Sequence, residues 1–387
     1  MSEAFFHTCK PALDVDYLED GDLALVQTFL IIAHYLQGSR APNRCWHIIG
    51  TAIRLAQGVG LHSDIGDEHR SFAETQIRRR VWHGCVMLDL AVSIMLGRPV
   101  MISHKPSTPL PDPIDDRHLA IDYPTCEQPP GTFSHVEWFI ATLKLYGLLR
   151  KTLHMLYDND GKQCNGNPAD QTRSGTLTQI QYITQLDSEL QDFRLEVPMP
   201  LHWDVPASEV QPQFLREQHL LKARQVKTGP LFVRVTNKVW ADIPVLSKSL
   251  HENLSTGTER ASSRAGICAN FAMDCVFFCV QSAIELINLI HETCNTDLAS
   301  VWYYNIFYLF TAGSITLLAE LYPPIVSIVT RETLEISWIK CQGALNYLKS
   351  YSIVAERCAE SMAMIRSKCL EAISGKNMSL FLGSRLM

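Results

Sequence analysis

The sequence predicts an all-α fold, specifically a single large superhelical or bundle-like helical domain with long loops. Apolar residues recur at helical spacing along most of the chain, and no series of short alternating segments between regular turns indicates strands. Of the 387 residues, 47% are hydrophobic and 19% are charged, which is enough to bury a large core. We therefore expect residues 1–387 to form one domain, with a C-terminal helical part at about 260–375.

Ten helices are expected, each from a stretch of apolar residues at helical spacing. Two loops interrupt the series. Eight prolines from Pro99 to Pro130 predict a long extended connector, and the polar segment 158–175, rich in glycine and asparagine, predicts a mobile loop. The predicted helices are 22–37, 42–59, 71–96, 133–157, 174–194, 209–225, 264–293, 298–320, 325–350 and 352–373.

The segment WHIIGTAIRLAQGVGLH at 46–62 predicts a helix that is buried on most sides. Two neighbouring apolar stripes run along it, one beginning at Trp46 and the other at Ile48. Arg54 belongs to a narrow polar edge, and the glycines that begin at Gly58 allow the helix to stop.

The segment ETQIRRRVWHGCVMLDLAVSIMLGRP at 74–99 predicts a second helix with a carboxylate in apolar surroundings. Asp89 shares a stripe with Trp82, so the carboxylate needs a partner that offsets its desolvation. Gly97 is expected to end the helix and Pro99 to prevent its continuation. The candidate partners of Asp89 are Arg54, Arg80 and Arg98.

Residues 301–319 run for nineteen positions without a charged side chain, long enough to span a bilayer. The segment also contains Asn305 and Thr311, and it has no basic flank on either side. We expect a buried core helix here, because helices that are apolar all round occupy the centre of large helical domains.

Charge and cysteine spacing limit the classes of function. A net charge of −6 and a pI near 6.2 give no general attraction to phosphate backbones, which argues against direct DNA binding. None of the twelve cysteines forms a C-x-x-C pair, so the spacing does not fit a zinc cluster or finger. Several cysteines lie in apolar runs and the N-terminus does not have the pattern of a signal peptide, so we expect an intracellular, reducing compartment.

The segments 46–62 and 74–99, called the signature helices below, closely resemble those of the fungal-specific transcription factor domain. This helical regulatory region usually follows a six-cysteine, two-zinc DNA-binding cluster. The resemblance is densest at about 20–120, and weaker agreement continues at Trp302 and at 311–313. The matching residues are Trp46, Gly50, 52–56, 60–62, Glu74, Arg78 to Arg80, Trp82, Leu88, Asp89, Ser93, Gly97 to Pro99, Asp115 and Asp116.

Two departures from the family pattern stand out. The zinc cluster is missing from this sequence, so any zinc would be held only by a missing DNA-binding module, and this chain itself needs no cofactor. The segment 226–246 departs from the helix that the family usually continues there, which suggests an insertion. We expect no catalytic, metal-binding or DNA-binding residue in this chain. The motif residues that the resemblance marks as structural candidates are Trp46, Arg54, Trp82, Asp89, Gly97, Arg98 and Pro99.

The resemblance implies a nuclear regulator of transcription, with no enzymatic activity and no membrane partner. Such a domain restrains or licenses a DNA-binding module in response to a small-molecule effector or a protein partner, often for a metabolic or secondary-metabolite pathway. DNA would be reached only through a missing or partner zinc-cluster module, and a homodimer or a co-regulator is an expected partner. A physical hypothesis is that helix packing around Trp46, Trp82 and Asp89 has two arrangements, which an effector biases.

Two alternatives remain open. Asp112, Asp115 and Asp116 could hold magnesium in a metal-dependent isoprenoid-synthase-like enzyme, although they lie in a proline-rich loop and no second metal motif follows. An inert protein-interaction scaffold is the other. The run from Arg78 to Arg80 does not favour nucleic-acid binding, because consecutive helical residues point about 100° apart, and Glu74 is placed to pair with Arg78.

Overall fold

The computed structural model describes Thr8 and residues 21–39, 41–64, 70–102, 107–119, 126–158, 184–206, 208–226 and 259–373. Regular secondary structure in these ranges is entirely helical, which confirms the all-α prediction for them. Short 3-10 helices occur at Asp116–His118 and Met199–Leu201. The α-helices are α1 (Leu23–Gln37), α2 (Pro42–Gly58), α3 (Phe72–Leu96), α4 (Val136–Asp158), α5 (184–196), α6 (212–226), α7 (Glu259–Thr293), α8 (Trp302–Glu320), α9 (Pro323–Val329), α10 (Arg331–Leu348) and α11 (Ile353–Ile373).

The chain divides into two compact units. Unit 1 comprises Met1–Gly166 and Thr184–Gln218, and unit 2 comprises Asn167–Ile183 and His219–Met387. A single domain over 1–387 stays a prediction.

Helix α3 forms the centre of unit 1. Helices α1 and α2 pack against each other and against α3, and α4 also packs against α3. Fifteen of the 25 residues of α3 are buried, so three neighbouring elements surround most of its circumference. This is why the apolar stripes of α3 are too wide for a surface helix.

Local capping explains where the helices of unit 1 begin. The Asp22 carboxylate accepts a hydrogen bond of 2.7 Å from Leu25 N at the start of α1. The Ser71 hydroxyl accepts one of 3.2 Å from Glu74 N at the start of α3. Each satisfies a backbone donor that has no partner within the helix, and each stabilises its helix by about 1 kcal/mol.

In unit 2, α8 packs against α7, α10 and α11. Gly313 of α8 permits the close approach, because a Cβ there would lie 2.2 Å from Met362 Cε and 3.0 Å from Cys341 Sγ. Any larger residue would have to displace side chains of both α10 and α11. The residues 311–313, which resemble the family's later core helix, therefore lie at a tight packing point.

An ionic cluster joins three helices of unit 2, α8, α10 and α11. The Arg366 guanidinium of α11 donates to both carboxylate oxygens of Glu320 in α8, at 3.0 and 3.2 Å, and it also pairs with Glu335 of α10. Its central carbon lies 4.8 Å from the ring centroid of Trp338. Because the side chains of Arg366 and Glu320 are only 13% and 11% exposed, this contact is less screened than a surface ion pair.

The prediction of one helix over 325–350 is wrong. Two helices occupy this stretch, α9 and α10, and they are separated at Thr330, whose φ is 69°. The Thr330 hydroxyl accepts a hydrogen bond of 3.3 Å from Thr333 N and so caps α10. Apolar residues keep helical spacing across the break, so periodicity alone did not reveal it. A positive φ is strained for a β-branched residue, and the cap stabilises it.

The apolar helices of unit 2 are long enough to be compared with membrane spans. By length and composition alone, Met273–Thr293 could cross a bilayer, and so could α8 together with α9, although these two are bent by 108°. A soluble core helix meets the same criteria, and Val276, Val280 and Ile287 of α7 are fully buried within the protein. In α8, eleven of nineteen residues are buried, including Asn305.

Some sequence predictions fall wholly or largely outside the described residues. These are the departure at 226–246, the mobile loop at 158–175 and the first part of the helix predicted at 174–194. The described part of that last helix covers 184–196, and the helix predicted at 209–225 lies at 212–226.

Candidate functional site

Asp89 lies at the centre of the candidate site, on α3, and is 2% exposed. Its Oδ2 atom accepts two backbone hydrogen bonds of 2.9 Å, from Met101 N and Ile102 N. One carboxylate oxygen thus holds the segment that follows α3 against the helix. We call the set Trp46, Trp82, Asp89, Arg98 and Met101 the Asp89 hub.

The predicted arginine partners of Asp89 are wrong. Arg54 is exposed and contacts Gln57, at 3.4 Å, on the polar edge of α2. Arg80 binds the 114–116 segment, and Arg98 binds Asn43. Backbone N–H groups take the place of an arginine because the chain turns back after α3, which places two donors against the carboxylate.

The electrostatics of Asp89 follow from its burial. Burial raises the pKa of this carboxyl, and the hydrogen bonds from Ile102 and Met101 together with the charge of Arg150 on α4 offset only part of the rise. Burial in turn lowers the pKa of Arg150, against the attraction of Asp89. Burial of the ionised Asp89 therefore costs desolvation energy, and burial of a neutral side chain at this position would not carry that cost.

The turn after α3 depends on Gly97. This residue has left-handed backbone angles, φ 64° and ψ 35°, and its N–H donates to the Ser93 carbonyl. Arg98 N donates to the same carbonyl at 2.9 Å, and the Ser93 hydroxyl donates to the Pro99 carbonyl at 3.3 Å. Gly97 and Pro99 thus lie where the sequence predicted the end of the helix.

Replacing Gly97 with alanine is expected to lower the free energy of unfolding of unit 1 by about 1–2 kcal/mol, because left-handed angles disfavour a side chain with Cβ. Chemical denaturation of the full chain measures the change. Gly58→Ala is the matched control: Gly58 ends α2 with helical geometry and no atom within 4 Å of a built Cβ, so this variant should be neutral or slightly stabilising. Equal losses in both variants would contradict the role assigned to Gly97.

Arg98 connects the same turn to α2. Its guanidinium carbon lies 4.9 Å from the ring centroid of Trp46, and its Nη2 contacts the side-chain oxygen of Asn43. This cation–π contact contributes on the order of 0.5–1 kcal/mol at a half-exposed position. Trp46 is half-buried, and the guanidinium of Arg98 lies over its indole ring.

Trp82 packs under the loop that follows α2. It is 3% exposed and meets His62 edge to face, with ring centroids 6.0 Å apart. Within the described ranges its Nε1–H has no hydrogen-bond acceptor. The apolar area of this ring, about 150–250 Å² when fully buried, makes it a major packing element between α3 and residues 59–62.

Each of the three consecutive arginines binds different groups, as expected for residues that point about 100° apart. Arg78 Nη2 donates to the Val59 carbonyl at 2.9 Å, and Arg79 pairs with Asp64 at 2.7 Å. Arg80 donates to the Ile114 carbonyl and pairs with Asp116. The expected Glu74–Arg78 ion pair is wrong: the salt bridge of Glu74 is to Arg70, at 3.6 Å, because the Arg78 side chain reaches back to the end of α2.

Sequence reasoning missed the side chains that hold the proline-rich connector. Gln76 is fully buried, and its side-chain amide makes two hydrogen bonds with Asp112. The amide Nε2 donates to the Asp112 carboxylate at 2.5 Å, and the amide oxygen accepts from the Asp112 backbone N–H at 2.7 Å. His83 lies 2.9 Å from the Pro109 carbonyl, and burial lowers the pKa of its imidazole despite that hydrogen bond. A signal was present, because Gln76 and His83 are polar and, being seven positions apart, share one face of α3.

Asp115 fixes the far end of the connector to α4. Its carboxylate accepts hydrogen bonds of 2.8 Å from the Ser134 hydroxyl and 2.9 Å from His135 N, and Gln128 donates to it as well. Burial raises the pKa of Asp115, but these hydrogen bonds outweigh it and the net pKa is lowered. Asp112, Asp115 and Asp116 all bind protein groups, which does not favour the magnesium site of the enzyme alternative.

The described cysteines do not fit a zinc site. Burial raises the pKa of Cys45 to about 11 and of Cys85 and Cys341 to about 12, which disfavours the thiolate that zinc requires. In the part of the chain that the structure describes, no three His, Cys, Asp or Glu residues cluster closely enough to hold a metal ion.

Comparisons with known proteins match this region. The model of the fungal specific transcription factor domain matches residues 16–194. Transcription factor FBD3 of Gibberella moniliformis is 21% identical over 301 residues, covering 75% of this chain and 37% of the relative. Cutinase transcription factor 1 alpha of Fusarium vanettenii is 26% identical over 209 residues, covering 52% and 21%.

A third relative matches along most of the chain. The thiamine repressible genes regulatory protein thi1 of Schizosaccharomyces pombe is 24% identical over 347 residues, covering 87% of this chain and 39% of the relative. The chain thus spans well under half the length of these relatives. No solved structure matches it significantly. The match to the family model includes both signature helices and the entire Asp89 hub. Residues 16–194 of this chain are thus similar to the fungal specific transcription factor domain.

Proposed function

We propose that this chain is the regulatory region of a nuclear transcription factor, and that it acts without catalysis of its own. It controls a DNA-binding module, zinc-containing in the family's usual arrangement, that is attached or supplied by a partner. The match of residues 16–194 to the family model carries the proposal, and curated relatives named as transcription factors or regulatory proteins support it. The regulatory region responds to a small-molecule effector or a co-regulator, and it controls a metabolic or secondary-metabolite pathway. A homodimer is an alternative arrangement.

The Asp89 hub gives this proposal a physical mechanism. The segment after α3 is held to α3 through Asp89 and to α2 through Arg98 and Trp46. Burial makes the ionised Asp89 unfavourable, which lowers the cost of an arrangement that releases or neutralises the carboxylate. An effector that binds the two arrangements with different affinity would shift the population between them, by about tenfold per 1.4 kcal/mol. The motif residues Trp46, Arg54, Trp82, Asp89, Gly97, Arg98 and Pro99 are proposed as its structural framework.

A fusion experiment tests the regulatory role. The full chain is joined to a heterologous DNA-binding domain, and expression of a reporter is measured in fungal cells. The expected result is output that differs at least severalfold from that of the DNA-binding domain alone, and that changes again in Asp89→Ala. Asp187→Ala is the matched control, because Asp187 lies exposed on α5 outside the Asp89 hub, so it should leave the output unchanged.

The inert-scaffold alternative predicts a different result. An inert scaffold would leave reporter output at the level of the DNA-binding domain alone, in the parent and in both variants. Immunoblots of all fusions at equal abundance are needed, because a destabilised variant loses output through degradation alone.

A further inference from the structure

Met101 contacts both α3 and α2 of unit 1. Its backbone N–H donates to the Asp89 carboxylate of α3. Its side chain lies on Gly50 of α2: a Cβ built on that glycine would lie 3.2 Å from Met101 Sδ and 3.8 Å from Cε. The thioether therefore occupies the space that a larger residue at position 50 would take. The residue is nevertheless 38% exposed, so this contact lies at the protein surface.

We propose that Met101 is an oxidation site through which peroxide-class oxidants loosen the Asp89 hub. The thioether sulfur attacks one oxygen of hydrogen peroxide, the O–O bond breaks, and the sulfur gains that oxygen while the peroxide is reduced to water. The sulfur loses two electrons and the product is methionine sulfoxide, which methionine sulfoxide reductases return to the thioether. The proposal concerns the stability of the hub and stands independently of the regulatory function.

The consequence follows from the contact with Gly50. A sulfoxide is polar and larger than a thioether, and its oxygen is more stable when it is hydrated. It cannot keep the sulfur against the α2 backbone at van der Waals distance without desolvating that oxygen. The side chain is therefore expected to leave α2, and the backbone of residues 101 and 102 loses one of its two attachments. Exchange of their amide protons with solvent should rise as the hydrogen bonds to Asp89 open more often.

Two other methionines provide internal controls. Met199 in unit 1 and Met364 in unit 2 are 70% and 56% exposed, so peroxide reaches them at least as readily as Met101. Met199 lies in a short 3-10 helix and Met364 on an exposed face of α11, and neither belongs to the Asp89 hub. Their oxidation is expected to be without effect on the hub.

The test uses the full 387-residue chain, with hydrogen peroxide as the oxidant. Peptide mass mapping follows sulfoxide formation at Met101, Met199 and Met364, while thermal unfolding and amide exchange at residues 101 and 102 are recorded before and after treatment. The parent is expected to lose about 2–4 °C in Tm, and the amide exchange at 101 and 102 is expected to quicken at least tenfold. Methionine sulfoxide reductase should reverse both changes.

Two variants separate Met101 from general damage. Met101→Leu keeps the apolar contact and cannot be oxidised at that position, so peroxide should leave its Tm and its amide exchange unchanged. Met199→Leu should respond as the parent does. The proposal is overturned if Met101 stays reduced while Met199 and Met364 are fully oxidised, or if Met101→Leu loses as much stability as the parent. Should Met101→Leu fail to fold, amide exchange in the oxidised and the enzymatically reduced parent decides alone.

Discussion

Asp89→Ala is expected to lower the free energy of unfolding of unit 1 by about 2–4 kcal/mol, the largest loss that we anticipate for a single substitution there. Two backbone N–H groups, of Met101 and Ile102, lose their shared acceptor, and a hydrogen bond to a charged group contributes about 1.5–3 kcal/mol. Arg150 also loses the opposite charge that offsets its burial. Urea denaturation of the full chain, followed at neutral pH by circular dichroism, measures the change.

Two further variants separate hydrogen bonding from charge. Asn in place of Asp89 keeps a carbonyl oxygen that can accept from both N–H groups, so Asp89→Asn should lose less stability than Asp89→Ala. Asp187→Ala is the matched control, because Asp187 lies exposed on α5, and its substitution should stay within about 0.5 kcal/mol of the parent. If Asp89→Ala were as stable as Asp187→Ala, the buried carboxylate would have no structural role.

The dependence on pH has a definite sign. The pKa of Asp89 is raised in the folded protein. At a pH between the unfolded and the folded pKa, the folded state therefore keeps a proton that the unfolded state has lost. The part of the stability that comes from this proton is therefore present at low pH and is lost as pH rises through the folded pKa, whereas the hydrogen bonds from Met101 and Ile102 remain. Asp89→Asn should remove this part of the pH dependence.

Arg366→Ala is expected to cost unit 2 about 2–4 kcal/mol. It leaves the carboxylate of Glu320, 11% exposed, without its two hydrogen bonds and close to Glu335, and it also removes the cation over Trp338. Removing one partner of a buried ion pair leaves the other charge uncompensated, and the loss is reduced here because Glu335 is half exposed. Thermal unfolding of the full chain in low and moderate salt measures it.

The matched control for Arg366 lies on the same helix. Arg357 is exposed on α11, so Arg357→Ala should change stability by less than about 0.5 kcal/mol. Lysine at position 366 keeps the charge but not the planar fork, and Arg366→Lys should recover only part of the loss. A lysine variant as stable as the parent would show that charge alone, without the bidentate geometry, holds the cluster.

The all-α fold was predictable because long helical periodicity survives without any tertiary information. Helices α1, α2 and α3 begin and end within a few residues of prediction, and Asp22, Ser71 and Gly97 act there through local backbone chemistry. The break at Thr330 was not predictable in this way, because it depends on one residue with positive φ inside a continuous apolar pattern.

The candidate site was predictable in its residues but not in its contacts. Asp89 is conspicuous as a carboxylate in an apolar stripe, and its burial follows from that pattern. Its partners come from a turn twelve residues later, and sequence periodicity carries no information on where a loop returns. The same reason explains why Gln76 and Met101 were missed: each is defined by a contact with a distant segment.

Amide hydrogen exchange at Met101 and Ile102 tests most directly the claim that Asp89 anchors the segment after α3. The full parent chain is compared with Asp89→Ala and Asp187→Ala at neutral pH. Strong protection of both amides is expected in the parent and in Asp187→Ala, and near-complete loss of it in Asp89→Ala while the core of α3 stays protected. If these two amides exchange as rapidly in the parent as in Asp89→Ala, the carboxylate does not hold the turn, and the proposed mechanism of the hub is contradicted.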